Sequence, residues 1–302
     1  MRYWIVHETL YRYASPVVLS HQLLHLTPRV LPWQALHSHR IDIEAQPAEQ
    51  TEREDDFGNP VRQVLLATPH QRLSVRAESE VSVTPRANAA AAAPPSAWDA
   101  LRERLHGIDE TTPLEPAQFL YESPHVECLP ELADYARPSF APRRPALEAA
   151  LDLAACIHHD FKFDPKSTTV STPLAEVMKL KRGVCQDFAH LMIGCLRTLG
   201  LAARYVSGYL LTVPPPGRPR LVGADASHAW VSLWLPHAGW VDLDPTNNCL
   251  VDDEHITLGW GRDFGDVTPM RGVILGGGEQ ELEVHVTVTP RSEAPIESQL
   301  HG

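Results

Sequence analysis

The sequence contains no closely paired cysteines. Its five cysteines stand far apart, without a Cys-x-x-Cys pair, at positions 128, 156, 185, 195 and 249. An odd number cannot all form disulfides within one chain, and disulfide frameworks belong to oxidising compartments. We therefore expect reduced thiols in a cytoplasmic protein, in which a functional cysteine acts as a nucleophile.

Long apolar runs are also missing, and positive charge is in short supply. No segment approaches the roughly 18 apolar residues of a membrane-spanning helix, and residues 1–8 lack the apolar run of a signal peptide. Lysine and arginine number 26 against 38 acidic residues, which gives a net charge of −12. Because such a chain repels phosphate backbones, we expect neither a nucleic-acid partner nor a membrane partner.

Metal and phosphate motifs are incomplete. Cys156, His158, His159 and Asp160 lie together, but no second ligand pair stands at a suitable spacing. The glycines at 276–278 lack the flanking residues of a nucleotide-binding loop, and we interpret them as a turn. We therefore predict no metal and no cofactor.

The length and the apolar spacing indicate two domains. At about 100–200 residues per domain, 302 residues suit two. Residues 1–85 show the period of two that is typical of half-buried strands, which predicts an all-β N-terminal domain, a small antiparallel sandwich or barrel. The alternation is clearest at Leu73, Val75, Ala77, Val81 and Val83.

Residues 86–145 have the composition of a connector. Residues 86–96 include five consecutive alanines followed by two prolines, as linkers do. Several prolines between 108 and 145 favour an irregular, partly helical segment. We place the start of the second domain at 146.

Residues 146–270 change from helical spacing to strand spacing, which predicts an α+β core. The clearest helix ends at Gly200, a suitable residue for a helix C-terminus. Its apolar stripe consists of Phe188, Leu191, Met192, Cys195, Leu196 and Leu199. The predicted strands are 204–212, 228–235 and 240–244.

The C-terminal segment, residues 271–302, carries one further strand. Leu282, Val284, Val286 and Val288 share one face of it. The strand could pack either on the core or on the N-terminal β domain, and the sequence leaves both arrangements open.

Cys185 stands where the clearest helix begins. The partial positive charge of a helix N-terminus favours a thiolate, which makes a cysteine at this position a nucleophile. Cys195 lies on the apolar stripe of the same helix and is expected to be buried. Since Cys185 alone could also be a small buried residue, its interpretation depends on a partner base.

His228 is the candidate base because it begins a predicted strand beside two carboxylates. If Trp234 pairs with Trp240 on the next strand, Asp244 lies at the diagonal position nearest His228. A carboxylate there would hold one imidazole nitrogen while the other serves the cysteine. Asp242 shares that face and is the competing orienting group, and a slip of one residue would separate His228 from Asp244.

Three segments resemble the core motifs of the transglutaminase-like superfamily. They are RGVCQDFAH at 182–190, SHAWV at 227–231 and GWVDLDPTN at 239–247. The N-terminal stretch, for example DFGN at 56–59, resembles the β domain that precedes this core in bacterial members. The resemblance spans nearly the whole chain and implies a papain-like α+β core, with helices packed on an antiparallel sheet.

The resemblance implies a role for each member of a catalytic triad. Cys185 would be the nucleophile, His228 the base and Asp244 the orienting carboxylate. The backbone N–H of Cys185 is one candidate donor to an oxyanion. No match to the calcium sites of the animal cross-linking enzymes is found.

Three further residues are candidates for substrate contact. Gln186 and Asp187 follow the nucleophile, although either could instead cap or pack the helix. Trp230, on the His228 face, could line the substrate channel, although packing in the core is the alternative.

The function implied is acyl transfer from a carboxamide through a cysteine thioester. Bacterial proteins of this architecture are described as candidate cysteine proteases, which favours water as the acceptor and a peptide or protein as the substrate. Transfer to an amine, as in a transglutaminase, uses the same triad and remains an alternative. A non-catalytic peptide-binding protein is the contrasting hypothesis.

Overall fold

A computed structural model of the chain describes residues 1–86, 92, 94–107, 114–212 and 227–291. Most of the predicted linker at 86–96 and residues 292–302 of the predicted C-terminal segment lie outside these residues. Within them, no helix is both long enough and apolar enough to cross a membrane.

The N-terminal sheet is organised by one long strand, β1 (Arg2–Leu24). Its other six strands are β2 (Gln34–Ile43), β3 (Glu49–Glu54), β4 (Pro60–Leu66), β5 (His70–Val83), β13 (Met270–Gly276) and β14 (Gln280–Arg291). The first half of β1 pairs with β5 and β14, and the second half with β4 and β13, all antiparallel. The pattern predicted a small antiparallel sandwich or barrel, and β1 connects all seven strands of this domain by hydrogen bonds.

The C-terminal strand completes this sheet. β14 pairs with β1 from Arg2 to Tyr13, so the strand packs on the N-terminal domain and not on the core. Val286 and Val288 are buried, whereas Leu282 and Val284 are exposed. The sheet therefore contains strands from two distant stretches of sequence. The domain boundaries at 85, 145 and 270 remain predictions from the sequence.

Six helices lie between the two groups of strands in the described part of the chain. They are α1 (Trp98–His106), α2 (Leu114–Ala117), α3 (Pro130–Ala136), α4 (Ala146–Asp160), α5 (Leu174–Leu180) and α6 (Cys185–Thr198). Helix α6 is the centre of the core, with residues 187–197 all buried. Gly200 has φ of +80°, a left-handed conformation that glycine adopts without strain, so the predicted helix end is confirmed.

The core sheet has five antiparallel strands in the order β11-β10-β9-β8-β12. Their bounds are β8 (Ala203–Leu210), β9 (Ser227–Leu235), β10 (Gly239–Asp244), β11 (Cys249–Leu250) and β12 (His255–Gly261). Two short strands, β6 (Lys162–Phe163) and β7 (Arg182–Gly183), form a separate parallel pair just before α6. The predicted fold class, an all-β domain followed by an α+β core, is confirmed.

Strand register decides which face of the core sheet each side chain occupies. Trp234 pairs with Trp240, as expected, and Ser232 pairs with Asp242. Ala229 and Val231 therefore belong to the apolar core that contains α6. His228, Trp230 and Ser232 of β9 lie on the opposite face, which is rich in polar groups.

The N-terminal domain contacts that polar face through Asn59 and Arg29. The Asn59 side chain accepts a hydrogen bond from the Trp260 N–H (2.9 Å) and donates one to the Trp260 carbonyl (2.8 Å). The Arg29 guanidinium lies 3.5 Å above the Trp260 ring, and Arg204 lies 3.8 Å from the same ring. These contacts of two guanidinium groups with the one indole ring join the two domains.

Removing the Asn59 amide should destabilise the whole protein. The Asn59→Ala variant removes the Asn59 partner of the partly buried N–H and carbonyl of Trp260, so we expect the free energy of unfolding to fall by about 2–4 kcal/mol. Urea unfolding measures this change. Thr51→Ala, on the exposed strand β3, is the control and should cost less than about 0.5 kcal/mol. Equal stability of the two variants would contradict this role of Asn59.

Candidate active site

Cys185 is the first residue of α6 and is partly buried. Its sulfur lies 4.0 Å from the Ser227 carbonyl oxygen, at the start of β9. The first backbone N–H groups of a helix have no partner within the helix, so they form a positive region around this sulfur. The chain thus places a nucleophile at a helix end that favours anions.

Asp187 shapes the turn that leads into Cys185. Its carboxylate accepts hydrogen bonds from the Val184 N–H (2.8 Å) and the Thr168 hydroxyl (2.7 Å). A Cβ atom at Gly183 would meet that carboxylate at 2.5 Å, so only glycine fits there. Asp187 is 3% exposed and is occupied by these bonds, which places it in the helix cap and not against a substrate.

His228 links Cys185 to Asp244. The Nε2 atom of His228 lies 2.7 Å from Asp244 Oδ2, and the ring lies near enough to the Cys185 side chain for that group to raise the pKa of His228. Because the carboxylate takes Nε2, Nδ1 is the nitrogen left for the thiol. The His228 ring is only 9% exposed and Asp244 is fully buried, so little water competes for the bond between them.

The electrostatics of the pair follow from these contacts. Burial lowers the pKa of His228, but its interactions with Asp244 and Cys185 outweigh this effect and raise the pKa to about 10. Burial raises the pKa of Asp244, yet the hydrogen bonds from His228, His255 and Asn247 hold it well below the usual range. A cationic imidazole and an ionised carboxylate therefore face each other at neutral pH.

The Asp244 carboxylate is held from several directions. Its Oδ1 atom accepts the backbone N–H groups of Thr246 (2.9 Å) and Asn247 (3.1 Å). Its Oδ2 atom accepts the Asn247 side-chain amide at 2.6 Å in addition to His228. These bonds fix the plane of the carboxylate toward the histidine.

Asp242, the competing carboxylate, has other partners. Its Oδ2 atom accepts the Trp230 indole N–H at 3.2 Å and lies 2.9 Å from the Arg86 guanidinium. The geometry therefore pairs His228 with Asp244, the arrangement that the register predicted.

Trp230 and Gln186, the other two predicted substrate contacts, lie outside the series Cys185, His228 and Asp244. Trp230 is fully buried, and its ring packs 6.2 Å from His228 and 5.3 Å from His255. Since no surface of this ring reaches solvent, the structure places it as a shield for the histidines and not in a substrate channel. Gln186 is partly exposed and donates a hydrogen bond to the Val170 carbonyl (3.3 Å).

Two residues of the site were missed by sequence reasoning. Asn247 lies within the GWVDLDPTN segment but carried no predicted role. His255 lies 3.2 Å from Asp244 Oδ2, and no spacing pattern identified it. Strand β12 pairs with β8 and not with β10, so this contact depends on the order of strands in the folded sheet.

Among the residues that the structure describes, His228, Asp244 and His255 form the group that could hold a metal ion. Their ligand atoms all lie within 4.8 Å of one another. In this arrangement the same atoms hydrogen-bond to each other, so protons shared with Asp244 balance its buried charge. The cluster noted near Cys156 is dispersed, because His158 bonds to the Thr246 carbonyl while His159 is exposed beside Asp160.

Two of the known proteins that resemble this chain do so over nearly its full length, and a third does so over half of it. An uncharacterized protein of Mycobacterium tuberculosis (strain H37Rv) is 41% identical over 296 residues, which cover 96% of this chain and 93% of the relative. An uncharacterized protein of Mycobacterium leprae is 32% identical over 294 residues, or 94% and 97% of the two chains. A protein-glutamine gamma-glutamyltransferase of Pseudomonas aeruginosa is 33% identical over 156 residues, which are 50% of this chain and 22% of that protein.

The fold is shared with a solved structure. The crystal structure of a candidate cysteine protease from Cytophaga hutchinsonii has a TM-score of 0.74, with 17% identity over 99% of this chain and 94% of that chain. Residues 3–82 match the bacterial transglutaminase-like N-terminal region, and residues 133–245 match the transglutaminase-like superfamily. The chain therefore belongs to the transglutaminase-like superfamily.

Proposed function

We propose that this protein is an enzyme that transfers the acyl group of a peptide carboxamide to water through a thioester on Cys185. The observation that carries the proposal is the placement of His228 between Cys185 and Asp244. A helix-terminal thiol beside a cationic imidazole is a nucleophile that is activated before substrate arrives. The buried carboxylate stabilises that cation and fixes its orientation.

In both steps of the proposed reaction, His228 is the residue that donates or accepts the proton. The Cys185 sulfur attacks the carboxamide carbon, and His228 donates its proton to the nitrogen as the carbon–nitrogen bond breaks. Water then attacks the thioester carbon, His228 accepts the proton of the water, and the thiolate leaves. Asp244 stays ionised throughout and balances the charge on His228.

The backbone supports the negative charge that develops on the carbonyl oxygen. The N–H of Cys185 lies in the first turn of α6, where backbone donors lack helical partners. An oxyanion next to Sγ can accept this bond as the tetrahedral intermediate forms.

Transfer to an amine is the second candidate. The observation that favours it is that a protein similar to half of this chain is named a protein-glutamine gamma-glutamyltransferase. The triad serves either acceptor, since access of water or amine to the thioester decides between them.

The test is to incubate the protein with glutamine-containing peptides, with and without a labelled primary amine. Products of hydrolysis in both reactions support the proposal, whereas label joined to the peptides supports transfer. No product from either reaction, or products that persist in Cys185→Ala, would contradict both.

Cys185 should be the most reactive thiol of the protein. Burial raises the pKa of the Cys128, Cys195 and Cys249 thiols, to about 11 for Cys249, so they stay protonated. Brief treatment with iodoacetamide at about pH 6, where ordinary thiols are protonated, should label Cys185 first. Mass spectrometry of the digested protein locates the label. Preferential labelling of Cys128 or Cys249 would contradict the assignment.

Asp244, and not Asp242, should support the reaction. Asp244→Asn removes the charge beside His228, and we expect turnover and alkylation of Cys185 to slow by about 10- to 1000-fold. Asp242→Asn is the matched control, because the same change there alters contacts to groups such as Arg86 and Trp230 and leaves the bond between His228 and Asp244 in place. Alkylation rates at about pH 6 and circular dichroism separate chemistry from folding. A slow Asp242→Asn beside a normal Asp244→Asn would reverse the assignment.

The His228 cation should also make stability depend on pH. The pKa of His228 rises from 6.5 to about 10 on folding, so its stabilisation is complete below pH 6.5 and is lost as the pH rises through 10. The free energy of unfolding, measured in urea across this interval, should fall more for the native protein than for His228→Gln. Parallel curves for the two proteins would show that folding does not stabilise the cation.

A further inference from the structure

A second histidine contacts the catalytic carboxylate. His255 begins β12, and its Nε2 atom lies 3.2 Å from Asp244 Oδ2, the same oxygen that bonds His228 at 2.7 Å. The His255 ring is 5% exposed. The two imidazoles therefore converge on one buried oxygen, from strands β9 and β12.

The remaining nitrogen of His255 indicates why the ring is present. Nδ1 is buried and finds no hydrogen-bond partner among the described residues. A ring that served only to fill space would do better as an apolar side chain, since a buried unpaired nitrogen costs stability. The polar contact that the ring does make, with Asp244, is therefore the feature that accounts for a histidine. Because an ionised carboxylate only accepts, Nε2 carries the proton.

The surroundings keep this contact in place. The Trp230 ring packs edge-on against His255 at 5.3 Å and also lies against His228 at 6.2 Å. The indole thus fixes both imidazoles relative to each other. Rotation of the Asp244 carboxylate away from His228 would break the bond to His255 as well.

We propose that His255 is a positioning residue for the reaction, and that its Nε2–H holds Asp244 in the orientation that His228 requires. The inference rests on the proposed function, because it assigns His228 and Asp244 their catalytic roles. The bond from His255 also helps to keep the Asp244 carboxyl ionised, since it lowers the pKa of that group. The titratable groups that face Asp244 are His228 from β9, His255 from β12 and Cys249 from β11.

Two amide variants test the position of the donor. The side-chain nitrogen of glutamine reaches about as far as Nε2, whereas that of asparagine reaches only the position of Nδ1. In His255→Gln, iodoacetamide should therefore alkylate Cys185 within about threefold of the native rate. In His255→Asn the alkylation should be slower by roughly tenfold, the effect of losing one hydrogen bond. The low-pH limb of the alkylation profile should move to higher pH in His255→Asn, because a less firmly held Asp244 supports the His228 cation beside Cys185 less well. His285→Gln, on the exposed part of β14, is the control.

The outcomes separate this inference from the function on which it rests. Equal rates and equal pH profiles for the Gln and Asn variants, with native circular dichroism, would overturn the role of His255 while Cys185 remains hyper-reactive in the native protein. A native Cys185 that reacts no faster than Cys249 would instead overturn the proposed function.

Discussion

The hydrogen bond between His228 and Asp244 is the contact on which the site depends. It joins the first residues of β9 to the last residue of β10, and the antiparallel pairing of Trp234 with Trp240 brings the two strands into that register. A slip of one residue would send the imidazole and the carboxylate to opposite faces. Burial strengthens the bond, because both partners are shielded from water while each supplies the opposite charge.

The N-terminal domain contributes to this environment. Arg86, the residue that directly follows it, pairs with Asp242 at 2.9 Å, and Asp242 in turn accepts the Trp230 indole N–H. Asn59 bonds both backbone groups of Trp260 on the edge strand β12. The polar face that carries His228 is therefore covered by residues from before the core, so the core without that domain would expose its charged interior to water.

Much of this arrangement could be predicted from local sequence. The helix that begins at Cys185 is amphipathic and ends at glycine, and the alternation of β9 and β10 fixes the face of His228 and Asp244. Other features depend on contacts between distant segments and leave no local pattern. The pairing of β14 with β1, and the approach of His255 to Asp244, follow from the order of strands in three dimensions. The burial of Trp230 is of the same kind, because the N-terminal domain that covers its face is remote in sequence.

The most direct test of the account is the charge on His228. Nitrogen NMR of the ¹⁵N-labelled protein reports the protonation of each imidazole ring. The His228 ring should stay protonated well above neutral pH and titrate near pH 10, and Asp244→Asn should move the titration to lower pH. A His228 ring that titrates near 6.5, as an isolated imidazole does, would contradict the ion pair on which the proposed chemistry depends.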